Sequence, residues 1–254
     1  MTDLEQALER VAAPEQTRSV ADYIEAMKPE IEKSLQSEQG AAILARHYYN
    51  AVRFNPLLMQ CAPDSLVAAL LLSAQVRLEP GPLGHVYLVP FHNSKRNVHE
   101  VVWMLGYTGI VELARRGGAV GLRAVVVHDD DDFVPPWQDE KGAHWKHVPN
   151  LSPDEGERVG ALVTWKEGSE RQALFMPPER IDVAIKASRN PKASDLRSED
   201  WYWRKTAVRF ARPWLPLTTD TGFAQAYHAD GAVVPALDVV EGEAVPVIEG
   251  GTDG

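Results

Sequence analysis

The chain has 254 residues and a formal net charge of −10 at pH 7, and 44% of its residues are hydrophobic. This length and apolar content suit one large domain or two small ones with a buried core. No stretch is apolar for long enough to span a bilayer, and the acidic start MTDLEQALERVAAPEQ lacks the basic and apolar regions of a signal peptide, so we expect a cytoplasmic protein.

The predicted elements begin with three helices. Residues 17–37 carry apolar side chains at spacings of three and four on an acidic background, which predicts an amphipathic helix. A second helix is predicted over 41–54, before the stop signal Asn55-Pro56. A third is predicted over 64–78 with Asp64 as its cap, and its nearly continuous apolar surface indicates a buried helix.

A β-hairpin follows, in which the runs HVYLVPF and HEVVWML flank the polar HNSKRNV and place Lys95 and Arg96 at the tip. The segment YTGIVELARRGG then predicts a short helix closed by glycines. Further strands are predicted over 122–128, 143–148, 159–165 and 171–176, and further helices over 178–187, 198–211 and about 221–228. This order indicates an α+β class with N-terminal helices, a central antiparallel β-sheet with a hairpin, and C-terminal helices.

Composition divides the sequence into three parts. Residues 1–40 form an acidic helical region, 41–230 the core, and 231–254 an acidic tail without aromatic residues, which we expect to be disordered. The apolar stripe of the N-terminal helix has to be covered either by its own domain or by the next subunit. Our hypothesis is that this acidic region helps protomers to assemble against basic surface on a neighbour. A host partner, DNA mimicry and solubility all remain open as roles of the tail.

Sequence motifs for nucleotide hydrolysis and acyl transfer are absent. The chain has no G-x-x-x-x-G-K-[ST] loop, no G-x-G-x-x-G turn and no G-x-S-x-G elbow. The run HDDDDF over 128–133 has the composition of a Mg²⁺ site, but consecutive carboxylates rarely converge on one ion, so a solvated turn is the favoured interpretation. His144 and His147, three apart in a predicted strand, point to opposite faces. We therefore expect no catalytic residues, no metal and no required cofactor, with Mg²⁺ at most modulatory. A metal-dependent nuclease using Asp129–Asp132 is kept as an alternative.

Charge is unevenly distributed along the chain. Residues 180–212 contain nine basic and four acidic residues, and residues 41–124 contain eight and four, whereas both ends of the chain are acidic. A ligand responds to the local field of one face rather than to the net charge. An acidic protein with a basic binding face is therefore compatible with this sequence.

The segment WYWRKTAVRFARPWLP concentrates basic and aromatic residues. On a helix, Lys205, Arg209 and Arg212 fall within about 60° of one another, and Trp201 and Tyr202 flank them. The core face of this helix is predicted to hold Trp203, Thr206, Ala207 and Phe210. Cations neutralise phosphates while exposed rings stack on bases, so the combination favours single-stranded nucleic acid. The alternative is a surface helix whose cations pair with nearby carboxylates or with the acidic run.

Four motifs occur in order over about residues 41–217. They are NPLLMQCAPDSLVAALLLSAQVRLEPGPLGHVYLVPF, WMLGYTGIVELARRGG, MPPERI followed by Arg189, and KTAVR leading to Leu-Pro. No single motif is diagnostic, but the ordered set resembles the RecT family of phage single-strand annealing proteins. Two positions depart from that pattern: Thr108 stands where the family often has Lys, and FARPWLP replaces a more usual Lys-Tyr before Leu-Pro.

The resemblance implies a recombination protein that coats single-stranded DNA, pairs it with a complementary strand and holds the annealed duplex without ATP. Members form rings and helical filaments, so a self-assembling homo-oligomer is expected. The implied partners are a cognate phage exonuclease and a host single-strand binding protein in the cytoplasm of a bacterial host.

The resemblance also implies which residues contact phosphate: Lys205 and Arg209 in the basic helix, Arg115 and Arg116 in its Leu-Ala-Arg-Arg match, and Arg189. The predicted DNA-binding set is completed by Lys95, Arg96, Tyr107, Trp201, Tyr202 and Arg212. Annealing has to work on any sequence, so contacts to phosphates rather than to base edges are expected.

A second alternative is a structural self-assembling protein whose basic face meets its own acidic loop.

Overall fold

The structure is a computed structural model that describes residues 20–94, 96–140, 142–152, 156–188 and 192–217. The described chain forms two compact units, one ending at Gly106 and the other beginning at Tyr107. No pattern in the sequence indicated this division, and the boundaries near residues 40 and 230 stay predictions. Among the residues described, no helix is both long and apolar enough to cross a membrane.

The first unit contains three packed helices. They are α1 (Val20–Leu35), α2 (Glu38–Phe54) and α3 (Pro63–Val76), with a short 3-10 helix at Pro56–Gln60 between the last two. All three pairs of these helices are in contact. The three predicted N-terminal helices are confirmed, but Asp64 is not the cap of α3, because the helix begins at Pro63 and Asp64 lies in its first turn.

The apolar stripe of α1 is covered by its own chain. Ile24, Met27 and Ile31 are at most 4% exposed, and α1 packs against α2 and α3. Of the two options for this stripe, docking within the protomer is the one that the structure shows. A role of residues 1–40 in assembly would therefore have to use the acidic outer surface of α1.

The first unit also contains the predicted hairpin, formed by β1 (Val86–Asn93) and β2 (Val98–Leu105) in antiparallel register. A buried hydrogen-bond cluster is centred on Ser73 of α3. Ser73 Oγ accepts a hydrogen bond of 2.8 Å from Nε1 of Trp103 and lies 2.9 Å from the hydroxyl of Tyr48. This hydroxyl of α3 thus satisfies polar groups from both a strand and a second helix.

The second unit has a mixed order of helices and strands. Its elements are α4 (Tyr107–Arg116), β3 (Ala119–His128), β4 (Asp132–Asp139), β5 (Gly142–Val148), β6 (Arg158–Glu167), β7 (Glu170–Met176), α5 (Glu179–Lys186), a 3-10 helix (Ala193–Ser198), α6 (Asp200–Ala211) and a 3-10 helix (Arg212–Trp214). An α+β fold with antiparallel strands is therefore confirmed. The helix predicted over 221–228 lies outside the described residues.

The strands of the described chain form three antiparallel sheets: β1-β2, β3-β6-β7 and β4-β5. The prediction of one central sheet is therefore wrong. The strand β4 was not predicted, because its acidic start and the pair Pro135-Pro136 are unfavourable for a strand. Its pairing with β5 is irregular between Val134 and Trp137, where the prolines fall.

The two faces of the three-stranded sheet are covered differently. One face is buried along the whole of β6, at Ala161, Val163 and Trp165, and α4 and α6 pack against the sheet there. On the other face Phe175 contacts Phe133 of the β4–β5 hairpin, with ring centres 5.1 Å apart. The sheet therefore separates a helix side from a hairpin side.

Candidate nucleic-acid interface

Helix α6 buries a broad arc of its surface. Its buried residues are Tyr202, Trp203, Ala207, Val208 and Ala211. Thr206 and Phe210, which were predicted in the core, are half-exposed. The prediction of an exposed ring at Tyr202 is wrong, because only 6% of this residue is accessible. The arc is broader than predicted because α6 packs against both the sheet and α4.

Lys205 and Arg209 of α6, with Arg212 directly after the helix, form a basic surface that we call the basic helix face. Its first residue, Lys205, is half-buried, and its ammonium lies 5.8 Å from the ring centre of Trp201 and 5.7 Å from that of Tyr202. Such distances are those of cation–π contacts. The two rings fix the position of the ammonium and remove water from around it.

Among the described residues, the charge of Lys205 has no opposite charge beside it. Burial lowers the pKa of Lys205, and the positive charge of Arg209 lowers it further. In the part of the chain that the structure describes, no carboxylate pairs with this ammonium. A partly desolvated cation next to a second cation favours the binding of an anion.

The carboxylate of Asp200, close to Lys205 in sequence, is engaged elsewhere. Asp200, the first residue of α6, accepts a hydrogen bond of 2.8 Å from Nε of Arg158. The alternative in which Asp200 neutralises Lys205 is therefore not what the structure shows. Arg204 is exposed on the same helix and adds a further positive charge.

Helix α4 contributes a second pair of predicted basic residues. Arg115 and Arg116 both donate hydrogen bonds to Glu112, at distances of 2.8 to 2.9 Å. These bonds, chiefly the one from Arg115, lower the pKa of Glu112 to about 2. Arg115 and Arg116 thus share the carboxylate of Glu112. Because α4 packs beside α6, the predicted basic segments of these two helices lie next to each other within the second unit. Tyr107, the first residue of α4, is 38% exposed.

Exposed rings lie at both ends of α6. Trp201 is 46% exposed and Trp214 is 55% exposed. The ring of Phe210 lies 5.7 Å from that of Trp214, and the guanidinium of Arg180 lies 5.3 Å from the Phe210 ring centre. Sequence reasoning did not assign Trp214, Phe210 or Arg180 to the interface. The sequence did contain one indication of this, because FARPWLP departs from the family pattern and places the indole of Trp214 just after the helix.

The remaining predicted cations belong to other parts of the chain. Arg96 lies in the first unit, where its guanidinium donates hydrogen bonds to Glu100 at 2.5 Å and to Asp64 at 3.4 Å. Its charge is thus balanced by one carboxylate of β2, Glu100, and one of α3, Asp64. Lys95 and Arg189 lie outside the described residues.

The acidic run is built around one buried carboxylate. The side chain of Asp131 is 2% accessible and accepts hydrogen bonds from the backbone N–H groups of His128 and Asn150, at 2.9 and 2.8 Å. Nε2 of His147 lies 2.8 Å from the same carboxylate. Burial raises the pKa of Asp131, but these hydrogen bonds outweigh it, and the pKa lies below its ordinary value. Asp131 therefore closes the base of the β4–β5 hairpin.

The other carboxylates of the run have separate partners. Asp129 accepts a hydrogen bond from the N–H of Glu157, Asp130 accepts one from a side-chain amide, and Asp132 pairs with Lys146. Across the described ranges no three His, Cys, Asp or Glu residues are grouped so as to hold a metal ion. The geometry thus gives the nuclease alternative no converging carboxylates, and the acidic run does not pair with Lys205.

Comparisons with known proteins fit this surface. A model of the RecT family matches residues 42–245. Protein RecT of Escherichia coli strain K12 is 31% identical to this chain over 208 residues, covering 76% of this chain and 73% of that protein. The 5′-nucleotidase SurE of Caulobacter sp. strain K31 is 25% identical over 262 residues, covering 98% of this chain and 88% of that protein. The identity to SurE is lower than that to RecT, and the matching family model agrees with RecT.

The fold and the surface define an α+β protein with a compact cationic and aromatic face of the kind that binds nucleic acid. The family match covers most of the chain, and the matched range contains the basic helix α6. This chain belongs to the RecT family of phage-type DNA recombination and annealing proteins.

Proposed function

We propose that this protein binds single-stranded DNA and anneals complementary strands without ATP, in phage-type homologous recombination. Membership of the RecT family supports recombination and annealing, and proteins of this family are in general not enzymes. The sequence has no phosphate-binding P-loop, which supports independence from ATP.

The observation that carries the proposal is the environment of Lys205. Its ammonium is half-buried between two rings and beside Arg209, and no carboxylate compensates it within the described chain. A phosphate group would supply the missing negative charge and accept hydrogen bonds from both cations. The free protein thus keeps a site that is electrostatically incomplete until an anion arrives.

The arrangement suits annealing because it leaves the bases readable. Lysine and arginine hold the phosphates, and an exposed ring such as Trp201 gives one base a stacking surface without selecting its identity. Arg115 and Arg116 extend the positive surface on the neighbouring helix. A strand held by its backbone keeps its Watson–Crick edges available for a complementary strand.

The finer features of this function also belong to the proposal. The protein works as a homo-oligomer, in rings or helical filaments, in the cytoplasm of a bacterial host. A phage exonuclease supplies the exposed strand, and a host single-strand binding protein is a second partner. No cofactor is required, and Mg²⁺ acts at most as a modulator.

The test is annealing of two complementary oligonucleotides, followed by fluorescence without ATP. The wild type is compared with a Lys205→Glu, Arg209→Glu double variant. The control, Arg53→Glu with Lys186→Glu, changes the net charge equally at exposed positions outside the interface. We expect the wild type and the control to accelerate pairing and the interface variant to lose most of this acceleration.

Three results would contradict the proposal or the site assigned to it. If the wild type does no more than buffer, the protein does not anneal DNA under these conditions. If salt dissolves the oligomer and DNA leaves it unchanged, the cations serve assembly, as in the structural alternative. Equal losses in the interface and control variants would mean that net charge, rather than the basic helix face, governs binding.

A further inference from the structure

A second group of cations lies on the three-stranded sheet. Arg123 on β3, Lys166 on β6 and Arg171 on β7 are all exposed. Lys166 is paired directly with Arg171, and Arg123 is paired with Thr164, two residues before Lys166 on β6. Directly paired residues share a face, as do alternate residues of one strand, so all three cations lie on one face. We call Arg123, Lys166 and Arg171 the sheet-face cluster.

The sheet-face cluster lies on the hairpin side of the sheet. Phe175, four residues after Arg171 on β7, shares its face and contacts Phe133 of the β4–β5 hairpin. The ring of Trp145 on β5 lies with its centre 4.1 Å from the guanidinium carbon of Arg171. The hairpin therefore borders the cluster with an aromatic side chain, whereas α4 and α6 cover the opposite face.

No negative charge balances the cluster within the described ranges. Neither Arg123 nor Lys166 has an ion-pair or hydrogen-bond partner there, and Arg171 rests on the Trp145 ring. The nearest carboxylates in sequence are Glu167 and Glu170, which lie opposite each other in the register of β6 and β7. Strand alternation puts them on the face opposite to the cations.

At the end of β6 and β7 the positive charges therefore lie on one face of the sheet and the negative charges on the other. Cross-strand pairs of like charge are destabilising, whereas a Lys–Glu pair at the same positions would be stabilising. The pairs Lys166–Arg171 and Glu167–Glu170 are therefore both unfavourable in the free protein. A polyanion lying over the cations would relieve the repulsion on their face.

The size of the cluster fits one strand of nucleic acid. From β7 across β6 to β3 is two strand spacings, about 10 Å. This width matches about three nucleotides at the 3.4 Å spacing of a duplex strand. Trp145 at the border offers an aromatic edge, as in proteins that bind single strands through backbone charge and stacking.

We propose that the sheet-face cluster, with Trp145, binds the phosphate backbone of a second nucleic-acid strand while the basic helix face holds the first. The inference rests on the proposed function and adds a separate capture site for the incoming strand. Two sites on one protomer raise the effective concentration of one strand near the other.

The test uses strands that cannot pair, so that capture is separated from annealing. Protein loaded with a sub-saturating amount of donor-labelled oligo(dT), enough to fill the first site, is titrated with acceptor-labelled oligo(dT), and energy transfer reports the ternary complex. The variant is Lys166→Gln with Arg171→Gln. The matched control, Glu167→Gln with Glu170→Gln, alters the same two strand positions on the opposite face.

We expect the cluster variant to bind the first strand within about twofold of the wild type and the second strand about tenfold more weakly. Because the variant removes two cations that neutralise phosphates, the salt slope of the second step falls by about 1.4. We expect the control variant to bind both the first and the second strand with the affinity of the wild type. Equal weakening of both steps, or none in the second, would overturn the inference and leave the proposed function intact.

Two further outcomes separate the remaining possibilities. A wild type that binds no first strand contradicts the proposed function and, with it, this inference. A changed mass of the DNA-free cluster variant by light scattering would show that the cluster contacts a second copy of the chain, which also overturns a DNA-capture role.

Discussion

The half-buried ammonium of Lys205 predicts a pH dependence that an exposed lysine would not have. Its pKa lies below the ordinary lysine value of 10.5, first through burial and then through the charge of Arg209. Only the protonated form attracts phosphate. We therefore expect DNA affinity to fall as the pH rises through this lowered pKa. Lys205→Arg keeps its charge over the same range, since arginine titrates far higher, and so should lose this alkaline decline.

The magnitude follows from the single contact involved. A hydrogen bond to a charged group contributes about 1.5–3 kcal/mol. Lys205→Gln should therefore raise the Kd for single-stranded DNA by about thirtyfold at neutral pH and lower the salt slope by about 0.7. Lys205→Arg should remain within about threefold of the wild type at the same pH. The rings of Trp201 and Tyr202 can accept either cation.

Stability should change in the opposite direction. In the unfolded chain Lys205 keeps its proton up to the ordinary pKa, whereas in the folded protein it loses the proton earlier. Between the two values the unfolded state binds more protons, so the free energy of unfolding contributed by this group rises with pH. DNA binding therefore weakens over the same pH range in which the loss of the proton from Lys205 makes the folded protein more stable.

The assay is fluorescence anisotropy with labelled oligo(dA) between pH 7 and 10, with thermal denaturation in the same buffers. Oligo(dA) is chosen because its bases do not lose a proton in this range. If the wild type and Lys205→Arg lose affinity in parallel, the charge of Lys205 does not contact DNA and its burial has no bearing on binding.

Three other changes test the packing and charge of the molecule. Ser73→Ala leaves two buried polar groups unsatisfied and should cost about 3 kcal/mol in a thermal unfolding experiment; an unchanged Tm would contradict the assigned hydrogen bonds. Gly160→Ala would put a methyl group 2.1 Å from the ring of Phe175 and should cost about 2 kcal/mol in denaturant unfolding, whereas a neutral effect would mean that this ring moves freely. Glu112→Gln removes the negative charge that Arg115 and Arg116 share and should tighten DNA binding about two- to fivefold in anisotropy titrations; weaker binding would mean that the carboxylate mainly orients the two arginines.

The elements that the sequence predicted have strong local signals. The runs HVYLVPF and HEVVWML are rich in β-branched and aromatic residues on both sides of a polar turn, and the hairpin formed as expected. Helix α2 began earlier than predicted because Ser37 caps it with a hydrogen bond to the N–H of Gly40. The helix was predicted from residue 41, whereas Glu38 and Gly40 already lie in its first turn.

What the sequence could not predict depends on contacts between distant residues. Strand β4 exists although it contains two prolines, because the buried Asp131 and the ring of Phe133 hold it in place. Helix α6 packs against both α4 and the sheet and Tyr202 is buried, whereas a helical projection includes no neighbouring elements. Arg123 and Lys166 are far apart in the chain and come together through the register of β3 on β6.

The closed base of the β4–β5 hairpin has a practical consequence. Since Asp131 ties both ends of the hairpin together, the turn after Asp139 is the part least needed to hold the two strands in register. Loop tips of this kind accept inserted sequence with little loss of stability. A fluorophore or short epitope placed there would sit on the hairpin side of the sheet, where it could report directly on a strand arriving at that surface.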